Sequence, residues 1–148
     1  MTKNKLGSEI KGEEYLVLHE FAKKAKEKFP KETWDYLIGA AETETTFKRN
    51  RYALDSLAFR PRVLRDVEKV NLSSKLFGNE LRIPIILAPI GSMQDFVEGA
   101  GEAPTKAAAE FGVMHMISST CMPGFEQVAK SVNYPKLFQL YVRGDPDW

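Results

Sequence analysis

The spacing of apolar residues near the start of the chain is helical. Apolar side chains recur every three or four positions from Glu13 to Phe29, while Lys and Glu fill the opposite face. This pattern predicts an amphipathic helix whose charged face is exposed to solvent rather than used to bind a partner. The predicted inward stripe of that helix comprises Leu18, Phe21, Ala22, Ala25 and Phe29.

Two more helices are predicted in the first 58 residues. Pro30 interrupts the first pattern because proline lacks an N–H group, so a second helix should run from about Lys31 to Ala41. Thr45 or Thr46 can cap a third helix that ends near Leu57. In the second helix the predicted inward residues are Trp34, Leu37, Ile38 and Ala41.

A hairpin is predicted between this helical segment and the first buried strand. After the extended stretch FRPRVL, the sequence KLFGNELR predicts two short strands around Gly78 and Asn79. Glycine at the first central position favours a type II′ turn. We therefore expect residues 59–82 to form an extended segment followed by a hairpin.

After the hairpin the pattern changes to alternating strands and helices. The apolar run IPIILAP predicts a strand at Ile83–Ala88 that is buried on both faces. A helix at about Ala100–Phe111 follows, and Gly112 can end it in the left-handed conformation. Next come the strand VMHMIS, a helix at about Pro123–Ser131 and a strand at Leu137–Val142. This alternation is typical of a parallel sheet in an α/β protein.

Polar groups lie at the carboxyl end of each predicted parallel strand. These ends meet at one edge, where both barrels and open sheets bind ligands. The three ends carry APIGSM, SSTC and QLYV, and the two-residue period places Gln139 and Tyr141 on one face. Each group taken singly is typical of a hydrogen-bonded strand end, but together the three favour a ligand site.

Composition narrows the class of partner. The 148 residues are 43% hydrophobic, and 21 Lys and Arg nearly balance 20 Asp and Glu. This balance predicts no nucleic-acid partner and no electrostatic binding to a membrane. The single Cys121 excludes an intramolecular disulfide and fits a reducing compartment. Because the start lacks a signal-peptide pattern and no apolar run approaches about 20 residues, we expect a soluble cytoplasmic protein.

Short motifs do not identify the ligand. No GxGxxG follows the first parallel strand, no Walker A sequence occurs, and no His and Cys cluster has the spacing of a metal site. His115 lies within a predicted strand, where a buried, hydrogen-bonded histidine is more common than a catalytic one. The patterns alone predict a parallel α/β protein with a polar ligand site and no metal.

Longer stretches resemble the FMN-dependent 2-hydroxy-acid oxidase and dehydrogenase family, which includes glycolate oxidase, lactate oxidase and lactate monooxygenase. The matching blocks, in family order, are WDYLIGAAETETTFKRNRYALDSLAFRPRVLRDV, IPIILAPIGSM, GEAPTKAAAEFG, ISST and FQLYV. They cover about Thr33–Val142. The resemblance implies a TIM (β/α)8 barrel whose first three strands lie in 83–148, preceded by a helical segment at 1–58 and the hairpin region at 59–82.

The resemblance also implies FMN as cofactor and roles for individual residues. Tyr36 matches the tyrosine that binds the substrate carboxylate, and Tyr141 matches the active-site tyrosine near the substrate oxygens. Ser118 matches a serine that bonds the flavin, and Gln139 a glutamine at its pyrimidine side. The turn whose backbone lies against the flavin near N5 matches Pro89, Ile90 and Gly91.

Two features depart from the family pattern. The family usually has a glycine pair in GGA, whereas IGAAE contains the single Gly39. The loop QDFVEGAGE is one residue longer than in glycolate oxidase. The resemblance therefore implies oxidation of a small, lactate- or glycolate-like L-2-hydroxy acid without specifying which acid, or whether the enzyme is an oxidase, a dehydrogenase or a monooxygenase.

The number of predicted strands sets a limit on activity. A (β/α)8 barrel has eight strands in about 250 residues, and the family's catalytic histidine, lysine and arginines belong to later strands. We therefore expect this chain alone to be inactive and to require a C-terminal half or a homo-oligomer. The alternative function is a non-catalytic half-domain that acts as an interaction or assembly module. A complete small doubly wound domain is disfavoured because three strands leave both sheet edges open.

Overall fold

The structure is a computed structural model that describes residues 15–145. The chain divides into two compact units, residues 1–58 and 59–148. Among the described residues, the first unit contains three α-helices, and the second contains a hairpin, a three-stranded sheet, a short 3-10 helix and two α-helices. Between residues 15 and 145, none of the helices is long and apolar enough to cross a bilayer.

The helices of the N-terminal unit occur where the apolar spacing predicts them. They are α1 (Leu18–Lys28), α2 (Lys31–Ile38) and α3 (Thr45–Asp55). The carboxylate of Glu20 accepts hydrogen bonds from the N–H groups of Leu16 and Val17, at 2.5 and 3.2 Å. These bonds satisfy donors at the start of α1 that the helix itself cannot. The predicted start at Glu13 lies outside the described residues.

Two expectations for these helices are wrong. Glu44, in the left-handed conformation with φ of 58°, precedes α3, so neither Thr45 nor Thr46 is its cap residue. No residue of the three helices is buried, and Leu18 and Phe21 are 82% and 54% exposed. Apolar spacing identifies one face of a helix, but burial also requires a partner surface, which spacing cannot supply.

The hairpin begins the second unit, and its turn differs from the prediction. Strands β1 (Ser74–Leu76) and β2 (Asn79–Leu81) pair antiparallel. The central residues of the turn are Phe77 and Gly78, with φ of 47° and 80°. Positive φ at both positions is typical of a type I′ turn, so the predicted type II′ turn is wrong. Asn79 belongs to β2, and its side-chain amide donates to the carbonyl of Phe77 at 3.0 Å.

The second sheet confirms the prediction that its strands are parallel. Its strands are β3 (Ile86–Leu87), β4 (Met114–Ser118) and β5 (Leu137–Gln139), with β4 in the centre and both pairings parallel. The connecting elements are a short 3-10 helix (Met93–Asp95) and α4 (Glu102–Phe111) before β4, and α5 (Phe125–Ser131) before β5. Gly112 ends α4 with φ of 92°, as the sequence predicts.

Strand β3 is shorter and more exposed than predicted. Only residues 86–87 pair with β4, although the apolar run extends over 83–88. Pro84 has no N–H to donate, and the N–H of Ile85 bonds to the carbonyl two residues earlier at 2.8 Å. The side chain of Ile85 is 54% exposed, so the expectation of burial on both faces is wrong.

Alternate side chains of β4 and β5 face two environments. His115 of β4 contacts Thr105 of α4, and Phe138 of β5 packs on Phe125 of α5 with ring centroids 5.0 Å apart. These residues therefore mark the helix-facing side of the sheet. The opposite side carries Met114, Met116, Ser118, Leu137 and Gln139.

The core lies between the sheet and the helices α4 and α5. Its buried side chains include Ile117, Val128 and Ala108. Beside it, between β3 and α4, a groove of about 290 Å³ is open to solvent. This β3–α4 groove is lined by Ile83, Ile85, Leu87, Ala107, Ala108, Phe111 and Val113.

Candidate functional site

The ends of two parallel strands bring Ser118 and Gln139 side by side. The two residues are direct neighbours in the pairing of β4 with β5, and both lie on the face away from the helices. Ser118 is only 2% exposed, and the N–H of Ser119 donates to the carbonyl of Gln139 at 3.1 Å. Backbone pairing therefore holds both side chains at the carboxyl edge of the sheet.

The side-chain oxygen of Gln139 is the most informative atom at this edge. Its Oε1 is buried and has no hydrogen-bond partner among the described residues. A buried polar atom without a partner destabilises a protein by about 1–3 kcal/mol, and such atoms are rare in folded proteins. Gln139 therefore presents an acceptor suited to an N–H group of a ligand.

The turn after β3 adds a backbone surface beside these side chains. A Cβ atom on Gly91 would lie 2.4 Å from Oγ1 of Thr120, which is too close for any real contact. The N–H of Ser92 donates to the carbonyl of Thr120 at 3.1 Å and holds the turn against the end of β4. In the same turn Pro89 is half-buried and Ile90 is exposed, so part of this surface is accessible.

The two predicted substrate-binding tyrosines belong to different units. Tyr141 follows β5 and is partly exposed, and its N–H donates to Oγ of Ser119 at 3.3 Å. The guanidinium carbon of Arg143 lies 5.5 Å from the centre of the Tyr141 ring. Tyr36 lies on α2 and is 73% exposed. The structure thus places Tyr141 two residues beyond Gln139 and describes Tyr36 within the N-terminal unit.

His115 belongs to the core rather than to this site. Its Nδ1 lies 2.8 Å from Oγ1 of Thr105, and the Thr105 hydroxyl donates to the carbonyl of Gly101 at 2.7 Å. Because that bond uses the only hydroxyl proton of Thr105, Nδ1–H of His115 is the donor in the other. Burial lowers the pKa of His115 and favours the neutral ring. The predicted structural role is confirmed.

The sequence did not predict the contacts between the loop after β3 and the loop after β4. Oε1 of Gln94 accepts from the N–H of Met122 at 2.9 Å, and the carbonyl of Met122 accepts from the N–H of Gly101 at 3.2 Å. Gln94 and Met122 are 28 positions apart, so no local pattern indicates their contact. The hydroxyls of SSTC indicate that Thr120 lies at the ligand edge of the sheet, but they do not indicate that it approaches Gly91.

Comparison with known proteins identifies a flavoenzyme family. The family model for FMN-dependent dehydrogenase matches residues 25–148. Glycolate oxidase 1 of Oryza sativa subsp. indica is 39% identical over 122 residues, which cover 82% of this chain and 33% of that oxidase. The chain therefore spans about a third of the length of the curated relatives that it matches.

Solved structures lead to the same family and to its fold. A soluble mutant of the membrane-associated (S)-mandelate dehydrogenase from Pseudomonas putida gives a TM-score of 0.79 at 30% identity, over 84% of this chain and 36% of that one. A mandelate oxidase mutant with a C4a-OH-FMN adduct gives 0.78 at 30% identity, over 82% of this chain and 37% of the oxidase. These neighbours are TIM-barrel flavoenzymes. The predicted fold class is confirmed: β3, β4 and β5 with their helices are the first part of a (β/α)8 barrel, and the described residues contain no closed barrel.

Proposed function

The chain belongs to the FMN-dependent dehydrogenase family, and from this premise we propose that it forms part of an enzyme that oxidises a small L-2-hydroxy acid to the 2-oxo acid. FMN is the cofactor of this family. The substrate class follows from the resemblance to glycolate oxidase, and we propose a lactate- or glycolate-like acid. The observation that carries the proposal is the buried, unpartnered Oε1 of Gln139 beside Ser118.

The residues at the strand ends fit the flavin ring. Its pyrimidine side has an N–H group between two carbonyls, and Oε1 of Gln139 is an acceptor that needs such a donor. Gly91 has no side chain, so a flat ring can approach the backbone of the turn closely. Ser118 adds a hydroxyl at the same edge. When bound, FMN accepts the hydride equivalent that leaves the substrate.

The substrate contacts that we propose involve the two tyrosines. Tyr36 would bind the carboxylate, and Tyr141 would hydrogen-bond the oxygens at the reacting carbon. His115 does not remove the hydroxyl proton, because its ring is bonded to Thr105 on the helix-facing side of the sheet. By resemblance to the family, whose catalytic histidine belongs to a later strand, we propose that the catalytic base lies outside residues 15–145.

A flavin titration of the 148-residue chain tests the proposal. Ring contacts alone must offset the loss of freedom on binding, so we expect weak binding, micromolar or weaker, and similar affinities for FMN and riboflavin. Gln139→Leu should weaken both about tenfold, since it removes the acceptor for the ring N–H. Gln127→Leu is the matched control, because Gln127 is exposed on α5 and should leave affinity unchanged.

Quenching of flavin fluorescence measures both affinities. Submicromolar FMN binding by the monomer would show that more of the cofactor site is present than we propose. The flavin site would be contradicted if neither flavin binds at millimolar concentration. It would also be contradicted if Gln139→Leu binds flavin as tightly as the unchanged chain does. The interaction or assembly module would then be the better hypothesis.

A further inference from the structure

The hydroxyl of Thr120 lies between two parts of the proposed flavin site. It is 3.1 Å from Oγ of Ser118 and 2.4 Å from the position that a Cβ on Gly91 would occupy. No role for Thr120 follows from the proposed function itself. The inference below rests on that function, because it concerns how Ser118 and the Gly91 turn are presented to a flavin.

A tight turn at the end of β4 brings Thr120 back over Ser118. The N–H of Cys121 donates to the carbonyl of Ser118 at 3.2 Å, and the N–H of Thr120 donates to Oγ of Ser118 at 3.3 Å. Both bonds are local, so the turn keeps the two hydroxyls in contact. Ser118 is 2% exposed, so bulk water has little access to its hydroxyl.

The hydrogen-bonding capacity of the Ser118 hydroxyl limits how it can pair with Thr120. A serine hydroxyl has one proton to donate and two lone pairs to accept with. The N–H of Thr120 takes one lone pair of Ser118, and the Thr120 hydroxyl takes the second if it is the donor in the 3.1 Å bond. Ser118 then accepts twice from Thr120, and its own O–H group remains free to donate.

The same hydroxyl explains why residue 91 is glycine. Gly91 is not in the left-handed region, so its backbone does not require glycine. Instead, Oγ1 of Thr120 occupies the space that a side chain at residue 91 would need, because an ideal Cβ there would lie 2.4 Å from this oxygen. The N–H of Ser92 bonds to the carbonyl of Thr120 at 3.1 Å, so one residue supports both the turn and Ser118.

We propose that Thr120 is a positioning residue with two effects. It fixes the Ser118 hydroxyl as a hydrogen-bond donor to the flavin, and it holds the Gly91 turn at contact distance from the flavin ring. Thr120 acts through Ser118 and through the turn backbone. A flavin carbonyl or ring nitrogen on this side of the ring would be the acceptor.

The first test compares Thr120→Val with Thr120→Ser in the 148-residue chain without flavin. Valine keeps the shape of threonine but cannot donate, whereas serine keeps the hydroxyl. Proton couplings of the Ser118 side chain, measured by NMR with labelled serine, report its rotamer. We expect one rotamer in the unchanged chain and in Thr120→Ser, and averaging in Thr120→Val. A single unchanged rotamer in Thr120→Val would overturn the positioning of Ser118.

The second test is a double-mutant cycle measured by urea unfolding. Gly91→Ala should lower the folded-to-unfolded ratio by roughly tenfold or more, because the new methyl group meets the Thr120 hydroxyl. In a Thr120→Ala background the same change should cost less than about threefold, since the space is vacant. Additive effects of the two substitutions would overturn the contact with the turn.

Flavin affinity and the visible flavin spectrum then separate this inference from the proposed function. Thr120→Val should weaken FMN binding about tenfold and shift the spectrum, and Thr120→Ser should restore both. The chain could bind no flavin while Thr120→Val still averages the Ser118 rotamer and Thr120 still couples with Gly91 in the double-mutant cycle. That combination would support the Thr120 contacts and refute the flavin site. Equal flavin binding by the Thr120→Val variant would support the flavin site and overturn the role of Thr120.

Discussion

At the scale of single residues, the helix-facing side of β4 carries one titratable group, His115, whose ring donates to Thr105. Burial lowers the pKa of His115 below its ordinary value near 6.5. His115 therefore resists protonation in the folded chain, whereas in the unfolded chain it binds a proton below about pH 6.5. The stability that neutral His115 contributes is present above pH 6.5 and is lost as pH falls towards the folded pKa.

We expect His115→Gln to reduce this loss of stability between pH 7.5 and 5.5, measured by urea unfolding across that range. His19→Gln, which replaces the histidine of α1, is the matched control substitution. A pH dependence that is identical in the unchanged chain and in His115→Gln would contradict the assignment.

Gln139 and Tyr141 should affect different steps, although Gln139 ends β5 and Tyr141 lies only two residues further along the chain. In the active enzyme, Tyr141→Phe keeps the ring and removes a hydrogen bond that strengthens in the transition state. We expect kcat to fall by roughly tenfold to a hundredfold, with FMN affinity within about twofold of its original value. Gln139→Leu should instead shift the visible flavin spectrum. If both variants changed only cofactor occupancy, the separate roles would be wrong.

At the scale of secondary-structure elements, Lys136 holds the connection between α5 and β5. Its Nζ donates to the carbonyls of Val132 and Tyr134, at 2.7 and 2.6 Å. We expect Lys136→Met to lower the free energy of unfolding by about 1–2 kcal/mol, because both carbonyls lose a charged donor. Lys130→Met removes an exposed charge from the last turn of α5 and should change stability by less than about 0.5 kcal/mol. Equal effects of the two substitutions in chemical denaturation would contradict this role.

At the scale of the whole molecule, the sheet has two edges that pair with no other described strand. Strands β3 and β5 each pair only with β4 among the described residues, and the β3–α4 groove beside β3 is apolar. Free N–H and C=O groups next to apolar side chains favour association. We predict that the 148-residue chain self-associates, and that a polypeptide carrying later strands of a family barrel reduces this association.

Sedimentation velocity and hydrogen exchange test this prediction. Ile85→Lys should reduce association because Ile85 lines the groove, whereas Val67→Lys changes an exposed apolar residue away from it and is the control. A compact monomer with slow exchange from Leu137 to Gln139 would contradict the prediction. That result would favour the half-domain as an interaction module that folds by itself.

Much of the fold and part of the site follow from local sequence. Helical spacing and apolar runs predict the helices and the parallel strands, because periodicity along the chain depends only on neighbouring residues. Alternation within the predicted strand at Leu137–Val142 places Gln139 and Tyr141 on one face, but β5 ends at Gln139, so the predicted extent of the strand is wrong and Tyr141 lies beyond it. The stop of α4 at Gly112 is equally local, since it depends on the conformation of one residue.

Contacts and burial were decided only by the tertiary structure. The approach of Thr120 to Gly91 joins residues that are far apart in sequence, and the bond between His115 and Thr105 joins β4 to α4. Burial of a face depends on the surface that covers it, which is why Ile85 is exposed although it lies in an apolar run. A sequence specifies which atoms can bond or be buried, whereas the path of the chain decides which of them meet.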